Sequence, residues 1–368
     1  MGGRALKSGL QHSTQKEPVM RFKTLFAVCA LFGSLFQSSP ALSETLRTAW
    51  LGEHEAFLTW YAKEKGWDKE AGLDIAMLRF DSGRDLIENV KAYDWAVAGC
   101  GAVPAMRATM SDQIEVIAVA NDESLSNAIL TRPDSPILAS RGFNPDFPNV
   151  FGTPESVKGK TVLCPKKTSA HYLLGKWLSA LGLSERDVKI DPLEPTPALG
   201  VFRNGYGDVI AVWSPFTREA ETLGYKTVTS ARDCGAPQPV LLVADRTFAA
   251  EHPETVRAFL KLYLRGVNAI RDEGPEALAP DYVRFAGEWM GKTLSEADAA
   301  AELRDHPVFS LEEQLELIGE EGKGPLKAWL AEIAAFSESM APNKAHRHAT
   351  PDAVTDRFLR AIASERAS

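Results

Sequence analysis

Apolar residues recur along this chain at two alternating periods. After position 44, TLRTAWL, LDIAMLRF, DWAVAG and IEVIAVA are short apolar or β-branched runs, and AFLTWYAKEKG, RDLIENVKAY and PAMRATM between them carry helical spacing. This alternation predicts an α/β fold with a largely parallel sheet and helices on both of its faces. The same order returns from Thr161 to Val228, so two α/β lobes are expected. Residues 133–159, rich in Pro, Gly, Ser and Asn, predict an extended loop on the second lobe. Beyond the PVLLVADR strand, Val256, Phe259, Leu260, Tyr263, Leu264 and Val267 mark a helix with Pro253 in its first turn. Further helices are expected over 310–319, 325–339 and 351–366, the last opened by Thr350 and Pro351.

One stretch carries more than packing. In PKKTSAHYLLGKWLSALG, residues 165–182, Ala170, Leu173, Leu174, Trp177, Leu178 and Leu181 form one apolar helix face, and Gly182 ends it. Thr168 or Ser169 suits the N-cap, and the KTVLC run before it reads as a strand. The N–H groups of that first turn lack helical partners and attract anions or ligand oxygens. Capping alone also accounts for both hydroxyl residues.

The chain has 368 residues, 45% hydrophobic and 24% charged, enough for about two domains. From Met20, a basic start at Arg21 and Lys23, an apolar run from Leu25 to Phe36 and small residues up to Ser43 read as a secretory signal cut between 43 and 44. Residues 1–19 are then an upstream tail. Without residues 1–43 the net charge moves from −8 to about −12, which argues against nucleic acid as a partner. Cys100, Cys164 and Cys234 remain, without CxxC spacing, and indicate neither a disulfide framework nor a zinc site. GxSxG, HExxH and CxxC sequences do not occur, so the commonest hydrolase, zinc-protease and redox signatures are missing. No catalytic residue, metal or cofactor is expected.

GKTVLCPKKTSAHYLLGKWLSALGL, then DVIAVWSPFTREAETLG, then CGAPQPVLLVADRTFAAEHPETVRAFLK resembles the periplasmic solute-binding proteins of taurine, alkanesulfonate and nitrate ABC importers. The resemblance covers most of 44–272. It implies a type II binding protein with two α/β lobes, joined by two crossing segments near 124–132 and 234–241. Lobe I would combine 44–125 with 240–368, and lobe II would span 126–239. Ligand would sit in the cleft outside the carboxyl ends of the strands. Thr168, Ser169, Ala170 and His171 would face it from lobe II, with Trp213 and Ser214 beside them. His54, Phe57, Asp81, Ser82, Gly101, Ala102 and Val103 would face it from lobe I, and Asn127 from the first crossing. The implied role is capture, by an exported periplasmic monomer, of a small anion such as taurine or another alkanesulfonate and its delivery to the permease of an ABC importer. Nitrate, a carboxylate or a pyrimidine precursor remains open as ligand, and a pyrimidine-precursor synthase or a sensor partner as role. If the ligand carries an amino group, Glu53, Asp81 and Asp233 are the candidate carboxylates.

Overall fold

The computed structural model describes residues 45–109, 113–320, 323–339 and 353–367; the expected signal segment lies outside them. The chain builds two five-stranded sheets. The first contains β1 (Thr45–Leu51), β2 (Asp74–Phe80), β3 (Val97–Gly101), β4 (Ile114–Asp122) and, from much later in the chain, β10 (Pro239–Asp245), in the order β2-β1-β3-β10-β4. The second contains β5 (Ala128–Thr131), β6 (Thr161–Leu163), β7 (Lys189–Asp191), β8 (Val209–Val212) and β9 (Lys226–Ser230), in the order β7-β6-β8-β5-β9.

Neither sheet is wholly parallel. β1 runs parallel to β2 and β3, and β6 to β7 and β8, as strand–helix–strand connections require. β10 is antiparallel to both β3 and β4, and β5 to both β8 and β9. The reversal has a topological cause: β5 and β10 are the first strands laid down after the chain passes from one sheet to the other, and each arrives from the side where its neighbours end. β4 and β10 are buried along almost their whole length, the apolar runs of strands covered on both faces.

The two passages between the sheets, residues 123–127 and 231–238, are tied to each other. Glu123 N–H donates to Gln238 O at 3.0 Å, Ala231 N–H to Asn127 O at 3.0 Å and Arg232 N–H to Ser124 O at 2.8 Å. Motion of one sheet against the other must therefore bend both strands of this tie together.

Most helices follow the sequence pattern. Ser169–Ala180 forms a helix with Ala170, Leu173, Leu174, Trp177 and Leu178 buried, and the following Gly182 takes φ 70°. Pro253–Glu273 buries Val256, Phe259, Leu260, Tyr263, Leu264 and Val267. Helices also cover Leu311–Ile318 and Leu326–Ser339. The last helix starts at Arg357, later than its Pro-led pattern suggests. Val354 instead bridges to Val116 of β4, and Thr355 N–H donates to Val116 O at 2.9 Å, so a sheet contact holds the chain extended where the local pattern favours helix. Thr350 and Pro351 lie outside the described residues. The stretch 133–159 has little regular structure, but it is pinned by an Arg141–Phe151 bridge, by the Trp177 indole N–H donating to Phe151 O at 3.0 Å, and by a helical turn at Pro154–Val157 with a Thr153–Ser156 capping box.

Candidate functional site

The ends of β1, β3 and β4 from the first sheet face the ends of β6 and β8 from the second. β6 leads into the turn Pro165–Thr168, in which Lys167 adopts φ 67°. Two bonds hold that left-handed turn: Thr168 Oγ1 donates to Pro165 O at 2.6 Å, and Lys167 N–H donates to His171 Nδ1 at 3.2 Å. Thr168 is the N-cap of the following helix, but its hydroxyl does not bond the helix backbone. The amides of Ser169, Ala170 and His171 therefore head the helix with no preceding carbonyl in the helical ladder. From the other side comes Gly101, the last residue of β3. It lies so close to Ser169 that a Cβ added there would collide with the Ser169 hydroxyl.

Between these faces is a cavity of about 20 Å³ bordered by Glu53, Gly101, Glu123, Thr168, Ser169 and Trp213, with Leu51, Gly83 and Pro104 completing its wall. That is room for about one water molecule. A solute can occupy this place only when the two sheets separate, a hinge opening.

Of the residues singled out by sequence, the structure brings Glu53, Gly101, Thr168, Ser169 and Trp213 to the cavity. Ala102, Val103 and Ala170 follow directly in the two helices that start there, and all three are buried. The others serve different purposes. Ser82 accepts from Asp85 N–H at 3.2 Å and caps a short helix, and Asp81 is exposed. Phe57 packs in a ring cluster with Trp60, Tyr61, Tyr282 and Phe285. His54 stacks on His306 at 4.4 Å between ring centres and lies 3.3 Å from the Tyr282 hydroxyl, and burial holds it well below the ordinary imidazole range. His171 supports the Lys167 turn with one ring nitrogen and places the other 3.0 Å from Glu185. Asp233 is tied into a turn by Ser230 Oγ at 2.8 Å.

Ser214 belongs to a contact at the edge of the cleft. Its hydroxyl donates to Glu302 Oε2 at 2.5 Å, and Arg218 donates to Glu302 Oε1 at 2.5 Å and to Asp305 at 2.8 Å. Ser214 and Arg218 follow β8 of the second sheet. Glu302 lies in the Glu296–Asp305 helix, after the chain has returned to the first.

Sequence reasoning named Glu53 as a candidate carboxylate but missed the two acids that join it. Glu53, Glu55 and Glu123 are all buried, and one carboxylate oxygen of each lies within 4.8 Å of the others. The Trp213 indole N–H donates to Glu53, and Asn127 Nδ2 donates to Glu123 Oε2 at 3.2 Å. No side chain donates to either oxygen of Glu55. Burial pushes the Glu53 carboxyl well above its ordinary range, reinforced by Glu55 and Glu123 and opposed by Trp213. Burial likewise raises Glu55 to about 7, against the pull of the Glu55 and Leu51 backbone N–H groups. Burial and the Glu55 charge raise Glu123 to about 7, while His306 and Asn127 pull the other way. The available signal was positional: Glu55 is two residues from Glu53, and Glu123 stands at the first crossing.

Two lobes shut on a small cavity at their strand ends are the fold of the type II periplasmic binding proteins. Residues 43–280 match the NMT1-like family, and the chain belongs to it. The taurine-binding periplasmic protein of Escherichia coli is 25% identical over 79% of this chain and 85% of its own length. Two crystal structures share the fold. The alkanesulfonate-binding protein of Xanthomonas axonopodis pv. citri, bound to MOPS, matches with TM-score 0.62 and 19% identity over 84% of this chain and 98% of that one. The periplasmic aliphatic sulphonate binding protein of Escherichia coli matches with TM-score 0.60 and 20% identity over 81% and 91%.

Proposed function

We propose that this protein is the solute receptor of an ABC importer, exported to the periplasm, and that it closes its two lobes on a small organic anion of the sulfonate class, taurine among them, for delivery to a membrane permease. The lobes would be 44–125 with 240–368, and 126–239, a reading supported by the grouping of the strands into two sheets. Export would use the signal beginning at Met20. The observation that carries this reading is the apposition of Gly101 with the amide-rich start of the Ser169–Ala180 helix across a cavity that only lobe opening can enlarge. Unpartnered N–H groups at a helix start hold anionic oxygens without a charged side chain. The binding specificities of the sulfonate and taurine relatives support the same class.

Ligand binding to the folded state tests it. A solute present at a hundred times its Kd should stabilise the protein by about 2.7 kcal/mol. A panel of taurine, ethanesulfonate, MOPS, propionate and nitrate, read by melting temperature, should show a rise with at least one sulfonate. A rise with nitrate or propionate alone would move the assignment to that anion. No rise with any member would remove the anion reading.

A further inference from the structure

We infer that the solute carries a protonated nitrogen, an ammonium or amidinium group, held jointly by Glu53, Glu55 and Glu123 opposite the helix start that takes its anionic end. This rests on the cleft being the solute site, and it narrows that site to zwitterions and amine-bearing anions.

Four observations carry it. The three carboxylates converge within 4.8 Å. Glu53 and Glu123 border the cavity itself, so the charge faces the place a solute would take. No side chain donates to either oxygen of Glu55, and Oδ1 of Asn127 has no hydrogen-bond partner, although Glu55 is 1% and Asn127 0% exposed. Among the described residues, the side-chain donors on the cluster are one indole N–H and one amide, both neutral.

Buried acceptors left unmade are costly, and a buried carboxylate more so. Zinc fits less well than nitrogen, since it prefers nitrogen or sulfur ligands and the set here is three carboxylates. An ammonium brings three N–H donors and an amidinium a planar set, and either matches acceptors spread over three side chains.

The test uses the full mature chain, unfolded and refolded to strip any retained solute, and calorimetric titration of pairs that differ in the amine alone: taurine with ethanesulfonate, β-alanine with propionate, and benzamidine with benzamide. The amine-bearing member of at least one pair should bind about 30-fold or more tightly, the scale of charge-assisted hydrogen bonds. Glu55→Gln and Glu123→Gln, which keep shape and remove charge, should bring that ratio close to one while circular dichroism stays unchanged. The wild-type ratio alone decides the matter if either variant misfolds. Ethanesulfonate binding as tightly as taurine overturns this inference and leaves the sulfonate reading standing. No binding by any member overturns both. Binding of benzamidine without any sulfonate or carboxylate keeps the amine site and removes the anion reading. Stabilisation by calcium or zinc chloride alone, reversed by EDTA and without amine preference, gives the cluster to a metal and overturns the inference.

Discussion

Gly101 at the end of β3 and Ser169 at the head of its helix meet across the cleft with no space for a methyl group between them. Gly101 does not have a positive φ, so its backbone tolerates alanine, and the lack of a side chain serves the approach of the two lobes. Gly101→Ala should leave the separate lobes folded and hold the cleft ajar. Overpacking of this kind costs about 1–3 kcal/mol, which should appear as roughly tenfold or greater weakening of solute affinity. Unchanged affinity would mean that solute binds without this contact.

Ser169 is the first residue of its helix, and Thr168 before it is extended at φ −123° and ψ 174°, a conformation that precedes proline readily. Ser169→Pro should therefore preserve the helix and remove one inward N–H together with the hydroxyl. Titration with the best sulfonate should show affinity falling by about tenfold, as expected for one lost hydrogen bond to a charged group. Retained affinity places the anionic end of the solute elsewhere.

The buried acids give the stability of the solute-free protein a defined pH dependence. Glu55 and Glu123 rise from an ordinary value of 4.5 to about 7 through burial, with Glu53, Cys100, Tyr263, Tyr282, His54 and His306 around them. Between those values the folded chain holds protons that the unfolded chain releases. Stability from these groups is therefore complete below the window and lost as pH rises through it. The melting temperature should fall between pH values of about 5 and 8, and Glu55→Gln, uncharged throughout, should flatten the slope. A wild-type profile that rises over the same range would contradict the assignment.

Glu302 accepts from Ser214 and Arg218, joining the Glu296–Asp305 helix to the segment that follows β8. Glu302→Ala leaves Arg218 with Asp305 as its remaining acidic partner and the Ser214 hydroxyl without an acceptor. Breaking a buried pair in this way should cost about 3 kcal/mol. It should also favour separated lobes, visible as a larger radius of gyration by small-angle scattering in the absence of solute. An unchanged radius would assign this contact to stability alone.

The helices and strands were legible because their apolar positions repeat at fixed periods, and the Ser169–Ala180 helix with its Thr168 cap could be read residue by residue. Strand direction was not, since a period-two pattern is the same whether a neighbour runs parallel or antiparallel; only the topology sets β5 and β10 against the rest. Trp213 and Ser169 stood out because each sits where a strand end meets a helix start. His54 and Phe57 occupy the same kind of position, yet the Tyr282 and Phe285 rings, more than two hundred residues away, draw them into the core. Glu53, Glu55 and Glu123 could not be joined on paper: two leave β1 and the third leaves β4, and local spacing does not record that those ends converge.

β10 lies between β3 and β4, so the first sheet has a vacancy at its centre until residues 239–245 arrive. β4 cannot dock on β3 in the meantime, because β10 is the strand that pairs with both. Such a lobe assembles late and through contacts distant in sequence, which slows folding. The second sheet draws all its strands from 128–230 and carries no such wait. As the chain emerges, the inserted lobe can therefore reach its native pairing before the lobe that hosts it.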